Sequence, residues 1–428
     1  MAWNHDAVKV SGQIQFQFPQ ITEGETLIVL RPMTLMKTAV VSFAVMLALP
    51  MPAGVAQTTV DFLTSLSDAE VGAFQEWRSS RRTYEQKLDA YWERVDGKRS
   101  ERKKKRAAQV PFDANDYVMT LPPTYEGPKL SPALAKKYEK FLAAQEKSDP
   151  KPSKEMANVA DYLATAKRVY NFAPERVSEK EFKRRYAREA MRLGLSKDQV
   201  VRIYALETGG IGTFDMQAGI HPIKKTGRPI SSALGYAQLL DANSVNELYK
   251  AGPDFVRRLE TLASDPNASA QRRAQLKGKI SAVKRMYANV RRIPFEWSRQ
   301  QAYAKTPEGM GVHALNIDGD IGPMLQAIKL KGLKDTADKV GRTNLSGAEM
   351  ELMNLSGPAT GLEMMQPAGR KAPTTNFFAR RAYYVNKMVI GLDGAGLLAE
   401  LDRRMDSAVK TPGSVEFAGA FDAVLAER

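Results

Sequence analysis

Apolar residues in this chain recur at helical intervals far more than they alternate. The clearest case is the stretch at 196–215, SKDQVVRIYALETGGIGTFD. Val200, Ile203 and Tyr204 mark one face, and Glu207 follows on the same stripe. Ser196 and Gln199 have capping-box spacing, which predicts a helix start, and Gly209 and Gly210 predict its stop. A carboxyl group ending a buried stripe is desolvated, which favours its acid form. Glu207 is therefore a candidate general acid. The alternative is a solvated or ion-paired glutamate at a helix end.

Residues 57–106 read as a basic helical region, with an irregular apolar face that includes Phe62, Leu66, Phe74, Trp77, Leu88 and Trp92. It ends in KRSERKKKR, which reads as a solvated helix face. Residues 107–157 carry Pro111, Pro122, Pro123, Pro128, Pro132, Pro150 and Pro152, so a proline-rich linker is predicted, with one short helix near 131–146. The domain boundary falls near 155. From 158 to 428 the pattern is helical with few strand signals. Ser178 and Glu181 predict a second capping box, on a helix stopping near Gly194. The Glu207 helix follows at once. It is too apolar for the recognition helix of a DNA-binding helix–turn–helix. A long basic helical stretch is expected at 254–305. The predicted class is mostly α.

Composition narrows the chemistry. The chain of 428 residues has no cysteine, which removes disulfides, thiolate metal sites and a cysteine nucleophile. His5, His221 and His313 are scattered without metal-ligand spacing, so neither metal nor cofactor is expected. The net charge of +15 calls for an anionic partner: nucleic acid, an anionic membrane surface or an acidic wall polymer. Met36-Lys37, the apolar run TAVVSFAVMLAL and Ala53-Gly54-Val55-Ala56 have the order of a secretory signal, cleaved near Ala56. Residues 1–35 do not fit such a signal, so 1–56 is read as a misassigned start plus signal peptide. The expected location is periplasmic or secreted, and the charge then points to the envelope. The basic runs lack interleaved aromatic residues, so no nucleic-acid partner is predicted.

Four segments in order carry a resemblance to the catalytic domain of soluble lytic transglycosylases, in the lysozyme-like superfamily. They are Glu207-Thr208, Gly235-Tyr236-Ala237-Gln238-Leu239, Asn354-Leu355-Ser356-Gly357-Pro358, and Tyr384-Val385. The resemblance spans about residues 175–400. It departs from the family pattern in an insertion, IHPIKKTGRPI, and in a long gap between Gln238 and Asn354. It implies a lysozyme-like helical catalytic domain over 158–428 that cleaves the MurNAc–GlcNAc bond of peptidoglycan glycan strands. Glu207 would act as acid and then base, and the sugar's own C6 hydroxyl would close a 1,6-anhydro ring. Thr208, Gly235, Tyr236, Gln238, Asn354 and Tyr384 would contact substrate or orient the acid. Two alternatives stay open: a hydrolytic muramidase pairing Glu207 with Asp215, and a non-catalytic wall-binding envelope protein held by its basic surface. LNIDGDIGP at 315–323 reads as a turn.

Overall fold

Helices in this chain start where a short polar side chain accepts a free backbone N–H. Asn158, Ser178, Ser196, Ser269, Thr306, Ser346 and Asp393 all do so. The structure is a computed structural model that describes residues 59–148 and 156–427, and it is mostly helical. No strand occurs among the described residues, only isolated bridges. The expected start and signal segment, 1–56, lies outside the described residues.

The chain forms two compact units. One takes in the described residues up to Arg94 and again from Pro122 to Ser148. Its helices are α1 (Thr59–Thr64), the first part of α2 (Asp68–Ala107) and α3 (Pro132–Ser148). Phe62, Phe74, Trp77, Tyr138 and Phe141 form its aromatic core, with ring centroids about 5–6 Å apart. Tyr125, from the proline-rich segment, packs edge-on against Tyr84 at 5.5 Å, and Arg81 covers both rings.

The other unit comprises Val95–Leu121 and the chain from Met156 onward. It contains α4 (Val159–Tyr170), α5 (Glu179–Arg192), α6 (Lys197–Thr208), α7 (Asp241–Ala263), α8 (Ala270–Val290) and α9 (Trp297–Ala304). Then come α10 (Pro307–His313), α11 (Ile321–Asp338), α12 (Gly347–Ser356), α13 (Pro358–Met364) and α14 (Pro367–Lys371). The last three are α15 (Arg380–Val385), α16 (Gly394–Ala408) and α17 (Pro412–Ala426). At its centre α5, α6 and α17 close around Phe182, Tyr186, Tyr204, Tyr236 and Phe417, whose rings meet mostly edge-on.

Several expectations from sequence are corrected by what the charged groups touch. The segment 107–157 is divided between the two units, because its first part is tied down by Arg102. That guanidinium, 2% exposed, donates to Glu363 Oε1 at 2.7 Å, to the Asp116 carbonyl at 2.8 Å and to the Asn376 carbonyl at 2.7 Å. Lys105 pairs with Asp116 and Arg106 with Glu363. The run KRSERKKKR is thus partly an internal clamp. The basic stretch at 254–305 is three helices, and its Arg272 and Lys279 point inward. Lys279 Nζ lies 2.7 Å from Glu175, 3.0 Å from Asp318 and 2.5 Å from Asp320, while Arg272 and Arg185 also hold Asp320. Asp318 and Asp320 lie in the turn read from sequence, buried in that network, and Asp318 caps the start of α11. At Ser178 only half of the capping box forms, since the Glu181 carboxylate turns to Arg185.

Removing one partner of a buried ion pair leaves the other charge uncompensated, at about 3–5 kcal/mol. Arg102→Met should therefore cut the unfolding free energy by about that much, measured by chemical denaturation. Arg102→Met/Glu363→Met should recover part of the loss. Equal losses in the single and double variants would contradict the clamp.

Candidate functional site

The helix that carries Glu207 forms as its pattern requires. Ser196 Oγ accepts the Gln199 N–H at 3.1 Å, and Gln199 Oε1 accepts the Ser196 N–H at 3.0 Å. Gln199 also donates to the Leu345 carbonyl at 2.9 Å, which ties the helix start to the segment before α12. From Gln199 to Thr208 every residue except Arg202 is buried. Gly209 and Gly210 then turn the chain with φ of 63° and 68°. At Gly210 a Cβ would collide with Thr411 and Ser414 at the start of α17, so this turn has no room for a side chain.

Glu207 thereby ends inside the protein, 7% exposed. α12 packs against α6 and brings two residues to it, Glu351 and Asn354, one helical turn apart. Asn354 Nδ2 donates to Glu207 Oε1 and to Glu351 Oε2, each at 3.3 Å. An amide nitrogen has two hydrogens, so one goes to each carboxyl group. Glu351 is 1% exposed. One Asn354 nitrogen therefore holds the two carboxyl groups as neighbours. Glu207 Oε2 is buried and meets no N–H or O–H donor. Two ionised carboxylates buried side by side repel, so burial of the pair favours a proton on one.

Titration follows from this burial. Desolvation pushes Glu207 well above the usual carboxylate range, and the Glu351 charge adds to the rise. Desolvation also raises Glu351, to about 7, against the Asn354 N–H, the Glu207 carboxyl and the Lys329 charge, all of which favour its ionised form. Lys329, on α11, is lowered by burial while Glu247 and Glu351 raise it. Among the described residues the Lys329 charge acts on Glu351 and no cation acts on Glu207, so the rise is greater at Glu207.

The other sequence candidates hold different positions. Thr208 is buried, and its hydroxyl donates back to the Tyr204 carbonyl at 2.7 Å. Gly235 has a φ of 75° and accepts no side chain, since a Cβ would meet the Gln326 amide. Tyr236 is a core ring whose hydroxyl donates to Glu179 at 2.5 Å. Gln238, with a φ of 41°, donates to the Gly235 carbonyl at 2.7 Å and the Met216 carbonyl at 3.4 Å, stabilising its own turn. Tyr384 is 43% exposed on α15, and its ring meets Tyr383 edge-on at 5.1 Å. The buried tyrosine there is Tyr383, whose hydroxyl accepts the Gly391 N–H at 3.0 Å.

Asp215 is held by Thr213 at 2.7 Å, by Lys225 at 2.9 Å and by Arg176. Burial raises its carboxyl, but these donors outweigh that and leave it below the usual range. Lys225 comes from the inserted segment IHPIKKTGRPI, which folds back through a His221 N–H to Thr226 carbonyl bond of 2.8 Å. Of the sequence candidates, then, hydrogen bonding joins Glu207 to Asn354. The residue missed from sequence is Glu351. Its signal was present: it lies three positions before Asn354, on the same helical face.

No protein-family model matches the chain, and comparisons with curated proteins and with solved structures find no match.

A carboxyl group whose folded pKa is raised favours folding fully only below its unfolded value. It loses that contribution as pH rises through the folded value. For Glu351, going from 4.5 to about 7, the loss is on the order of 3 kcal/mol across that window. Denaturation at a series of pH values should show this decline in the natural chain and a flatter curve in Glu351→Gln. Parallel curves would count against a buried, proton-sharing pair.

Proposed function

We propose that the chain is a lytic transglycosylase acting on peptidoglycan glycan strands, with Glu207 as its single acid and base. The observation that carries this reading is the 3.3 Å hydrogen bond between Asn354 and Glu207. These two residues stand in the first and third segments that resemble the family, far apart in sequence, and they meet at a carboxyl group kept in its acid form. A lysozyme-like helical arrangement of the unit from Met156 onward belongs to the same reading, as does export after removal of the segment ending near Ala56.

Breaking a glycosidic bond needs a proton on the leaving oxygen as positive charge develops on the sugar. A buried, protonated carboxyl group supplies it at neutral pH. Glu207 gives its proton to the glycosidic oxygen as the C1–O4 bond breaks. The resulting carboxylate takes the proton of the C6 hydroxyl, whose oxygen bonds to C1 and closes the 1,6-anhydro ring. Proton and charge return to their starting places. This route needs no second catalytic carboxylate, which fits an Asp215 committed to Arg176 and Lys225. The hydrolytic route, with Glu207 and Asp215 acting on a water, is the rival outcome of the test. Basic residues left on the surface are available to the acidic wall polymer.

Purified chain lacking residues 1–56 should release soluble fragments from peptidoglycan sacculi, with anhydro ends by mass spectrometry. Glu207→Gln should lower release by about 10²- to 10⁴-fold. Asp215→Asn should leave release of the same order as the natural chain. Reducing ends would favour the muramidase. Sacculus binding that falls with salt, without release and indifferent to Glu207→Gln, would favour a wall-binding protein.

A further inference from the structure

Glu351 is a second carboxyl group in a site whose proposed chemistry uses one. Two catalytic carboxyl groups in a glycosidase stand apart, about 5–5.5 Å where one is the nucleophile and about 6.5–9.5 Å where a water lies between. Glu351 does neither. It shares one Asn354 nitrogen with Glu207, at 3.3 Å to each carboxyl group, and it is the more deeply buried of the two. The position between the two carboxyl groups is taken by the Asn354 amide nitrogen.

We propose that Glu351 is a positioning residue for Glu207: the two share one proton, fixed in place by the Asn354 amide, so that Glu207 is presented to the substrate as an acid. This rests on the reading of Glu207 as the acid, but the proton sharing is a property of the folded chain with or without substrate.

The arrangement suits both halves of the cycle. Before bond cleavage, a neighbouring carboxylate makes loss of the Glu207 proton unfavourable, so the acid stays loaded at neutral pH. After the proton has gone to the leaving oxygen, two carboxylates face each other. That makes Glu207 a stronger base toward the C6 hydroxyl, whose proton restores the shared pair. Lys329 decides which carboxyl group is charged. Its ammonium acts on Glu351 from α11, and no cation acts on Glu207 among the described residues. Glu247 and Lys250, on α7, act in turn on Lys329. No charged group on α13, α16 or α17 figures among those acting on either carboxyl group, within the described residues. Asn354 keeps the pair in register.

The test is titration of the full chain labelled with ¹³C at glutamate carboxyl carbons, followed by NMR from pH 4 to 9. Glu207→Gln and Glu351→Gln assign the two signals, and circular dichroism checks that each variant folds. The expected result is two carboxyl signals titrating together above the ordinary glutamate range. In Glu351→Gln, the Glu207 signal should titrate in a single step at lower pH. In Lys329→Met, which leaves both carboxyl groups in place, the pair should move the opposite way, to higher pH. A Glu207 titration unchanged in both variants would overturn the inference.

The pH profile of fragment release from sacculi gives the second readout. Its alkaline limb, where the acid loses its proton, should move down by about one pH unit in Glu351→Gln, a tenfold change in acid ionisation. A structural role alone would lower release equally at every pH, and that result would also overturn it. Coupled titration in a chain that releases nothing would sink the proposed activity and leave the proton sharing standing. Release with an unmoved limb would do the reverse.

Discussion

Everything at the candidate site follows from burying two carboxyl groups side by side. Water would hold both as anions at neutral pH, and a protein interior does not. The fold shows two means of tolerating them, the two N–H groups of Asn354 and the charge of Lys329 on one side, and the proposed shared proton would be a third. The second is asymmetric, and that asymmetry gives the pair a direction. The glutamate with the cation nearby takes the negative charge, and the other keeps the proton.

Holding such a pair requires rigid surroundings, because solvent entry would relax both carboxyl groups. The rest of the larger unit supplies that rigidity. The turn after Glu207 has no room for a side chain at Gly210 and is bonded through the Thr411 hydroxyl to α17. The start of α6 is tied to Leu345, and the Asp198 carboxylate accepts the Gly347 N–H at 2.9 Å. Those two bonds fix the separation of α6 and α12 at one end, while Asn354 bridges them at the other. Elsewhere in the unit, Arg102 and the Lys279 network bury charge in ion pairs. The fold thus holds compensated charge as structure, while Glu207 keeps a buried carboxyl oxygen without a donor.

How far the sequence revealed this depends on the range of the interaction. The Glu207 helix was readable because its signals are local: a capping box, an apolar stripe and two glycines within about four turns. The predominance of helix was readable for the same reason. Arg102 was misread because a run of cations looks alike whether or not one member turns inward. Its partners Glu363 and Asn376 lie in distant sequence. The turn at Asp318 and Asp320 was readable, but not its ion pairs, since Lys279 and Arg272 arrive from α8. Glycine, tyrosine and glutamine at 235–238 could be seen as a turn, but not that Tyr236 faces the aromatic core and Gln238 its own backbone. Glu351 shows the limit most clearly. Its spacing from Asn354 placed it on the same helical face, but its nearness to Glu207 shows only when α6 is laid against α12.

The same pair also bears on which nucleophile the site accommodates. Water-using glycosidases of the two-carboxylate kind need a second group with a gap before it. Here the near carboxylate has no gap, and Asp215 is neutralised by Arg176 and by Lys225 of the inserted segment. Each of the two acids that hydrolysis would draw on is already committed, one to a proton and one to cations. A reaction in which the substrate brings its own hydroxyl asks least of these residues. It needs one carboxyl group able to give a proton and take it back, and a neighbour that makes both steps favourable.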